Sequence, residues 1–189
     1  MSNGNASKPR IFILAALLVS LSACDRGSEP YARYQVDPVR HRAWSLGAEG
    51  LSFRDRAAPG KAVHVPLPGW QWAGPPYGCL PDLALGPKGE AVVTSDVLPT
   101  LWRIDPETLA VSVHPIALDA DTDKDVGFSV IAYSSRHGAY YALSQSPGAI
   151  WKIDPLLKRA QKTALAVPAI KTCGPAVRPS ATFLSMPDL

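Results

Sequence analysis

The sequence uses one phrase twice, Trp102-Arg103-Ile104-Asp105-Pro106 and Trp151-Lys152-Ile153-Asp154-Pro155. Each copy follows a short apolar run and a turn, and each is followed by a second β-like run. The phrase therefore marks a unit, and self-similarity at a fixed period of about 20 to 50 residues is the mark of a repeat architecture. Inside the phrase Trp and Ile alternate with Arg103 or Lys152, the period of a strand with two unlike faces. Asp-Pro then ends the strand, because the Asp side chain bonds its own backbone in a turn and Pro fixes φ. The recurrence favours a packing role for the two indoles over a ligand platform, since a binding residue need not return in every unit.

Working outward from the phrase, four strand runs stand in series in each complete unit. In the second unit they cover 83–85, 90–94, 101–104 and 110–116; in the third, 127–133, 139–144, 149–153 and 160–166. The first unit offers 43–46, 51–54 and 62–67. Asp55, Asp105 and Asp154 close the third run of each unit, 50 and 49 residues apart, and His64 and His114 stand 50 apart in the fourth, which reads them as equivalent. The first unit has neither the Trp nor the Pro and lacks a first strand. The tail at 172–186 is expected to supply one, through 176–177 or 181–184, in the edge-hiding exchange propellers use. With 19 Pro, 14 Gly and no capped amphipathic stretch, nothing in the chain reads as a convincing helix.

The stretch Pro81-Asp82-Leu83-Ala84-Leu85-Gly86-Pro87-Lys88-Gly89-Glu90-Ala91-Val92-Val93-Thr94 resembles the opening of a blade in six-bladed propeller families such as the NHL and gluconolactonase-like proteins. The resemblance implies an all-β, propeller-like array of about three four-stranded antiparallel units. Propellers have about four to eight blades. Three units therefore make a small ring completed by irregular segments, an open partial array, or half of a homodimeric ring. A compact monomeric array closed by the tail is the favoured expectation.

The amino terminus is an address. Lys8 and Arg10 precede an apolar run from 11 to 21, shorter than the roughly 20 residues a spanning helix needs. Leu21-Ser22-Ala23-Cys24 closes it and resembles the bacterial lipobox. That resemblance implies a signal peptide at 1–23, diacylglycerol and usually a third, palmitate-type chain on Cys24, and anchoring to a membrane of the cell envelope, where two or more chains hold stably. Asp25 resembles an inner-membrane retention signal, which favours the periplasmic face of the inner over the outer membrane. Residues 24–40, polar and with Gly27, Pro30 and Pro38, read as a lipidated end and tether, and 41–189 as the propeller-like domain.

Removing Lys8 and Arg10 takes the formal charge from +3 to +1, which offers no electrostatic case for nucleic acid. Of three cysteines, Cys24 goes to lipid, and Cys79 and Cys173 are expected to form a disulfide in an exported chain. The rival reading is two buried thiols. Asp119, Asp121, Asp123 and Asp125 alternate as Ca²⁺ ligands can. Lys124 and Val130 stand where such a loop needs Gly and Glu, so a solvated acidic loop between blades is favoured over a metal site. No cofactor beyond that Ca²⁺ is indicated.

His41, His64, His114 and His137 show no metal-ligand spacing, and no catalytic motif appears. Trp70, Trp72 and Tyr77 lie in a Pro- and Gly-rich bridge, either a recognition surface or a plug for the end of the array. The expected function is a binding or scaffold module with an envelope protein as partner. The alternative is a lactonase- or dehydrogenase-like propeller enzyme with a metal-dependent site.

Overall fold

A computed structural model describes residues 32–57, 60–73, 80–118, 127–144 and 149–166. Among them are thirteen strands and no helix. The strands form three antiparallel meanders in chain order, each a blade. Blade 1 is β1 (Ala32–Asp37), β2 (Arg42–Gly47), β3 (Gly50–Asp55) and β4 (Val63–Val65). Blade 2 is β5 (Leu83–Leu85), β6 (Ala91–Val93), β7 (Thr100–Ile104) and β8 (Val111–Pro115). The chain then runs through β9 (Ala117–Leu118) into blade 3: β10 (Phe128–Ser134), β11 (Ala139–Ser144), β12 (Ala149–Ile153) and β13 (Arg159–Ala166). Here β9 adds a fifth strand, parallel to β13 with Arg159 opposite Ala117, so the segment leaving blade 2 covers an outer edge of blade 3.

The first strands of the blades lie side by side, with β5 packed against both β1 and β10. That is propeller geometry, with inner strands around an axis and later strands radiating outward. Among the described residues the three sheets do not close into a ring.

Period-two alternation decides which face meets which blade. Leu83, Ala91, Val93, Trp102 and Ile104 of blade 2 pack on Trp44, Leu46, Leu51, Phe53 and Val65 of blade 1. The other face of blade 2, through Ala84, Val92 and Leu101, packs on Phe128, Tyr140, Ala142, Trp151 and Ile153 of blade 3. Trp44, Trp102 and Trp151 are all fully buried, and such side chains dominate the apolar area a seam removes from water. In blade 1 the aromatic partner comes from the second strand: Trp44 lies 5.0 Å from Phe53, and the Arg42 guanidinium sits 4.9 Å above the Phe53 ring.

The aspartates at the strand ends do the same work in all three blades. Asp55 Oδ1 accepts from Ala57 N–H, Asp105 Oδ1 from Glu107 N–H and Asp154 Oδ1 from Leu156 N–H, each two residues on. Exposed Asp105 is held below the usual carboxylate range by the N–H groups of Thr108 and Glu107. In the second and third blades the turn ends on a leucine with positive φ, Leu109 at 60° and Leu157 at 56°. Leu157 is buried and Leu109 packs on the first seam, so burial offsets the strain of that backbone.

Three expectations need correction. Residues 32–37, expected within the tether at 24–40, form β1, the inner strand of blade 1, paired in full register with β2 from Ala32 opposite Gly47 to Asp37 opposite Arg42. Blade 1 thus owns a first strand and needs none from the tail, whose residues 167–189 lie outside the described ones. The run misled because Tyr34-Gln35-Val36 has one exposed face and so lacks the apolar density of the other inner strands. His64 and His114 are also not equivalent: His64 stands opposite Ser52, three before its Asp, and His114 opposite Leu101, four before.

Candidate functional site

Six of the eight buried polar or charged side chains among the described residues gather at one end of the axis: Asp82, Thr94, Ser95, Asp96, Ser129 and Ser144. Topology puts them there, since inner strands begin and second strands end on that side. The far end carries the turns between first and second strands, with the other two, Asp37 and Glu90.

Asp82 stands immediately before β5, at the centre of this end. Its Oδ2 accepts from Ile131 N–H of blade 3 at 3.1 Å, and its Oδ1 faces Arg33 Nε of blade 1 at 3.6 Å. One carboxylate on blade 2 therefore ties both neighbours. Its backbone is fixed by Thr94, whose hydroxyl accepts from Asp82 N–H at 2.7 Å and whose N–H donates to Asp82 C=O at 3.0 Å. Burial pushes the Asp82 carboxyl up, against the downward pull of Arg33 and the Ile131 N–H.

The bridge between blades 1 and 2 is fastened across the same end. Trp70 Nε1 donates to Thr94 C=O at 2.9 Å, Trp72 Nε1 to Ala48 C=O at 3.3 Å and Trp102 Nε1 to Pro68 C=O at 2.8 Å. Ser95 Oγ donates to Gln71 C=O at 2.7 Å, and Ala73 N–H donates to Asp96 at 3.0 Å. The rings of Trp70 and Trp72 stack, 6.4 Å apart and 27° from parallel, both half-buried. Trp70 also packs on the first seam. The result is a rigid aromatic shelf spanning two blades, its indole N–H groups engaged inward and part of each ring left to solvent.

Blade 3 enters this end through a close approach. Phe128 N–H donates to Ser95 C=O at 2.6 Å, and a Cβ on Gly127 would lie 1.8 Å from Asp96 O, so only glycine admits the contact.

The far end is held by ion pairs that also cross seams. Arg40 bonds Asp37 at 3.1 Å and Glu107 of blade 2 at 2.6 Å, and Arg42 Nη1 donates to Pro106 C=O. Burial pushes the Asp37 carboxyl up, but the N–H groups of Arg40 and Val39 and the Arg40 guanidinium outweigh it and hold the carboxyl below its usual range. On the second seam Tyr140 OH donates to Glu90 Oε1 at 3.3 Å, with Arg103 Nη2 at 3.5 Å from the same oxygen. Burial first, then the charge of Glu90, raises the Tyr140 phenol far above its ordinary range.

Of the residues expected to form a site, Trp70 and Trp72 stand on the shelf. Tyr77, Cys79, Cys173, Cys24 and the acidic loop Asp119, Asp121, Asp123 and Asp125 lie outside the described residues. No group of three or more His, Cys, Asp or Glu among the described residues is placed to hold a metal. Nor is any helix among them long and apolar enough to cross a membrane. Sequence reading missed Arg33, Asp82, Thr94, Ser95 and Asp96. The one available signal was position, since Asp82 opens the run with the blade-like pattern.

No family model matches the chain, and no curated protein does. Among solved structures, virginiamycin B lyase from Staphylococcus aureus is similar in fold. A catalytically inactive histidine-to-alanine form with quinupristin gives a TM-score of 0.51 at 16% identity, over 72% of this chain and 41% of the lyase. The selenomethionine form gives 0.50 at 15% identity, over 73% and 41%. The chain thus spans about two fifths of the lyase's length.

Proposed function

We propose that the chain is a binding or scaffold module of the cell envelope, anchored through acyl chains on Cys24, with the axis-end shelf as its recognition surface. The observation that carries this reading is the stacked, backbone-fastened pair Trp70 and Trp72. Partly exposed aromatics held by their indole N–H groups give contact area with little entropy to lose, which is what a partner surface needs. The partner in this reading is another envelope protein; a second copy of the chain is the alternative. Asp25 beside Cys24 favours the inner over the outer membrane for the anchor, and the exported compartment favours a Cys79–Cys173 disulfide.

Asp82 is the feature that favours the enzymatic alternative, since an axial carboxyl with a raised proton affinity has the properties of a general acid. Both of its oxygens, however, are engaged by Arg33 and Ile131 N–H. The histidines stand off the axis: His41 and His137 in or beside far-end turns, His64 and His114 on outermost strands. These placements support binding over catalysis.

The test is crosslinking in intact envelopes. Trp70→Ala and Trp72→Ala should lose a crosslinked partner while the domain still melts cooperatively. An unchanged crosslinking pattern would reject the shelf. Palmitate labelling should vanish in Cys24→Ser, alkylation should find free thiols at Cys79 and Cys173 only after reduction, and calorimetry with Ca²⁺ should give no heat from the acidic loop.

A further inference from the structure

Every blade presents two faces, and on blade 1 one of them meets no other blade among the described residues. The pairings of β1 to β4 place Tyr34, Val36, Ala43, Ser45, Ser52, Arg54 and His64 together on it. It carries no carboxylate. Tyr34 is 68% exposed and Val36 48%, and Val39, at the turn closing the same hairpin, is 77% exposed. These three lie within the first eight described residues, whereas the other exposed large apolar side chains are scattered singly over the blades. An aromatic with a polar tip, short apolar side chains and basic groups together match a water-lipid boundary with negative headgroups.

Chain length points the same way. Eight peptide steps join Cys24 to Ala32, so β1 starts at most about 29 Å from the lipidated residue. A tether that short keeps the start of blade 1 within reach of the bilayer, and an effective concentration that high makes even a weak surface contact persist.

We propose that this face of blade 1 lies against the anionic membrane surface, with Tyr34 and Val36 at the headgroup boundary and Arg54 and His64 toward the lipid phosphates. The placement rests on the Cys24 anchor for its geometry.

The experiment uses the processed protein, with its intact mass read first. Absence of acyl mass refutes the anchor and, by itself, leaves the surface claim to the next measurement, which works with or without acyl chains. The protein is placed with vesicles of phosphatidylethanolamine and phosphatidylglycerol, or of phosphatidylcholine alone, and side-chain exposure is read by hydroxyl-radical footprinting. Oxidation of Tyr34, Val36 and His64 should fall several-fold with the anionic vesicles only, while Val113 and Leu156 stay unchanged. Arg54→Ser should weaken that protection about fivefold, the share of one basic side chain at an anionic surface. Tyr34→Ser should abolish what remains at high salt, where charge attraction is screened. Equal exposure with and without anionic vesicles overturns the proposal. So does protection that appears without vesicles and grows with protein concentration, which would assign the face to a second copy.

Discussion

Ser52 and Arg54 hold in blade 1 the strand positions that Trp102 and Ile104 hold in blade 2 and Trp151 and Ile153 in blade 3, three and one residues before the closing aspartate. In blades 2 and 3 that face packs on the preceding blade and is buried. In blade 1 nothing precedes it among the described residues, and the same positions are polar, with Ser45 and Ser52 hydroxyls bonded to each other at 2.8 Å. A repeat that ends an array needs a polar outer face, because the apolar one has no neighbour to bury it. Among the described residues the degraded first copy of the phrase thus faces outward, and the inward face of its blade carries Trp44 and Phe53. The difference teaches that the indole belongs to a seam and not to the blade as such.

The comparison breaks most visibly at the indoles. Trp102→Ala and Trp151→Ala should each cost about 3 to 5 kcal/mol in urea unfolding, as large buried side chains do. A cost below about 1 kcal/mol at either position would mean that the seams do not carry the array. Asp82 comes next, because it binds both seams at once. Asp82→Ala should cost about 3 kcal/mol, by leaving the Ile131 N–H without its acceptor and removing the carboxylate that faces Arg33.

A pH series sharpens that result. The folded carboxyl is raised above its unfolded value by burial. Its contribution to stability is therefore complete in acid and is lost as pH rises through the folded pKa. Relative to wild type, Asp82→Asn should gain stability from about pH 4 upward. A difference that falls with pH would instead make the Arg33 pair the dominant influence.

A smaller effect separates the two copies of the phrase. Trp102 Nε1 donates to Pro68 C=O, whereas Trp151 Nε1 is buried without an acceptor among the described residues. Trp102→Phe should therefore cost about 1 kcal/mol more than Trp151→Phe, the net worth of one hydrogen bond. The least effect is expected on the outward face of blade 1: Ser52→Ala and Arg54→Ser should each stay within about 0.5 kcal/mol in lipid-free solution. A cost of several kcal/mol at Arg54 would mean that its face is covered after all.

The strands of blades 2 and 3 were legible because the inner ones are largely buried on both faces, the third carries the phrase with its turn, and the outer one follows that turn. Strand runs read at 139–144 and 149–153 coincide with β11 and β12. By contrast β1 was hidden, since a strand with one solvent face, broken from the lipobox by only a few polar residues, looks like tether. The shelf was half legible: Trp70 and Trp72 stood out as aromatics among Pro and Gly, but their acceptors, Thr94 and Ala48 carbonyls, are backbone atoms far along the chain. Asp82 could not be picked out from fifteen other acids. What distinguishes it is burial between Arg33 and Ile131, and each of those lies 49 residues away.

By itself the sequence determined the repeat, its period and its turns, because alternation, Asp-Pro closure and glycine placement act over a few residues, where side chain and backbone interact directly. Tertiary structure alone decided which faces are seams and which polar groups meet on the axis. Those depend on what stands across a gap between blades, and pairing at a distance of about fifty residues leaves no local trace in the chain.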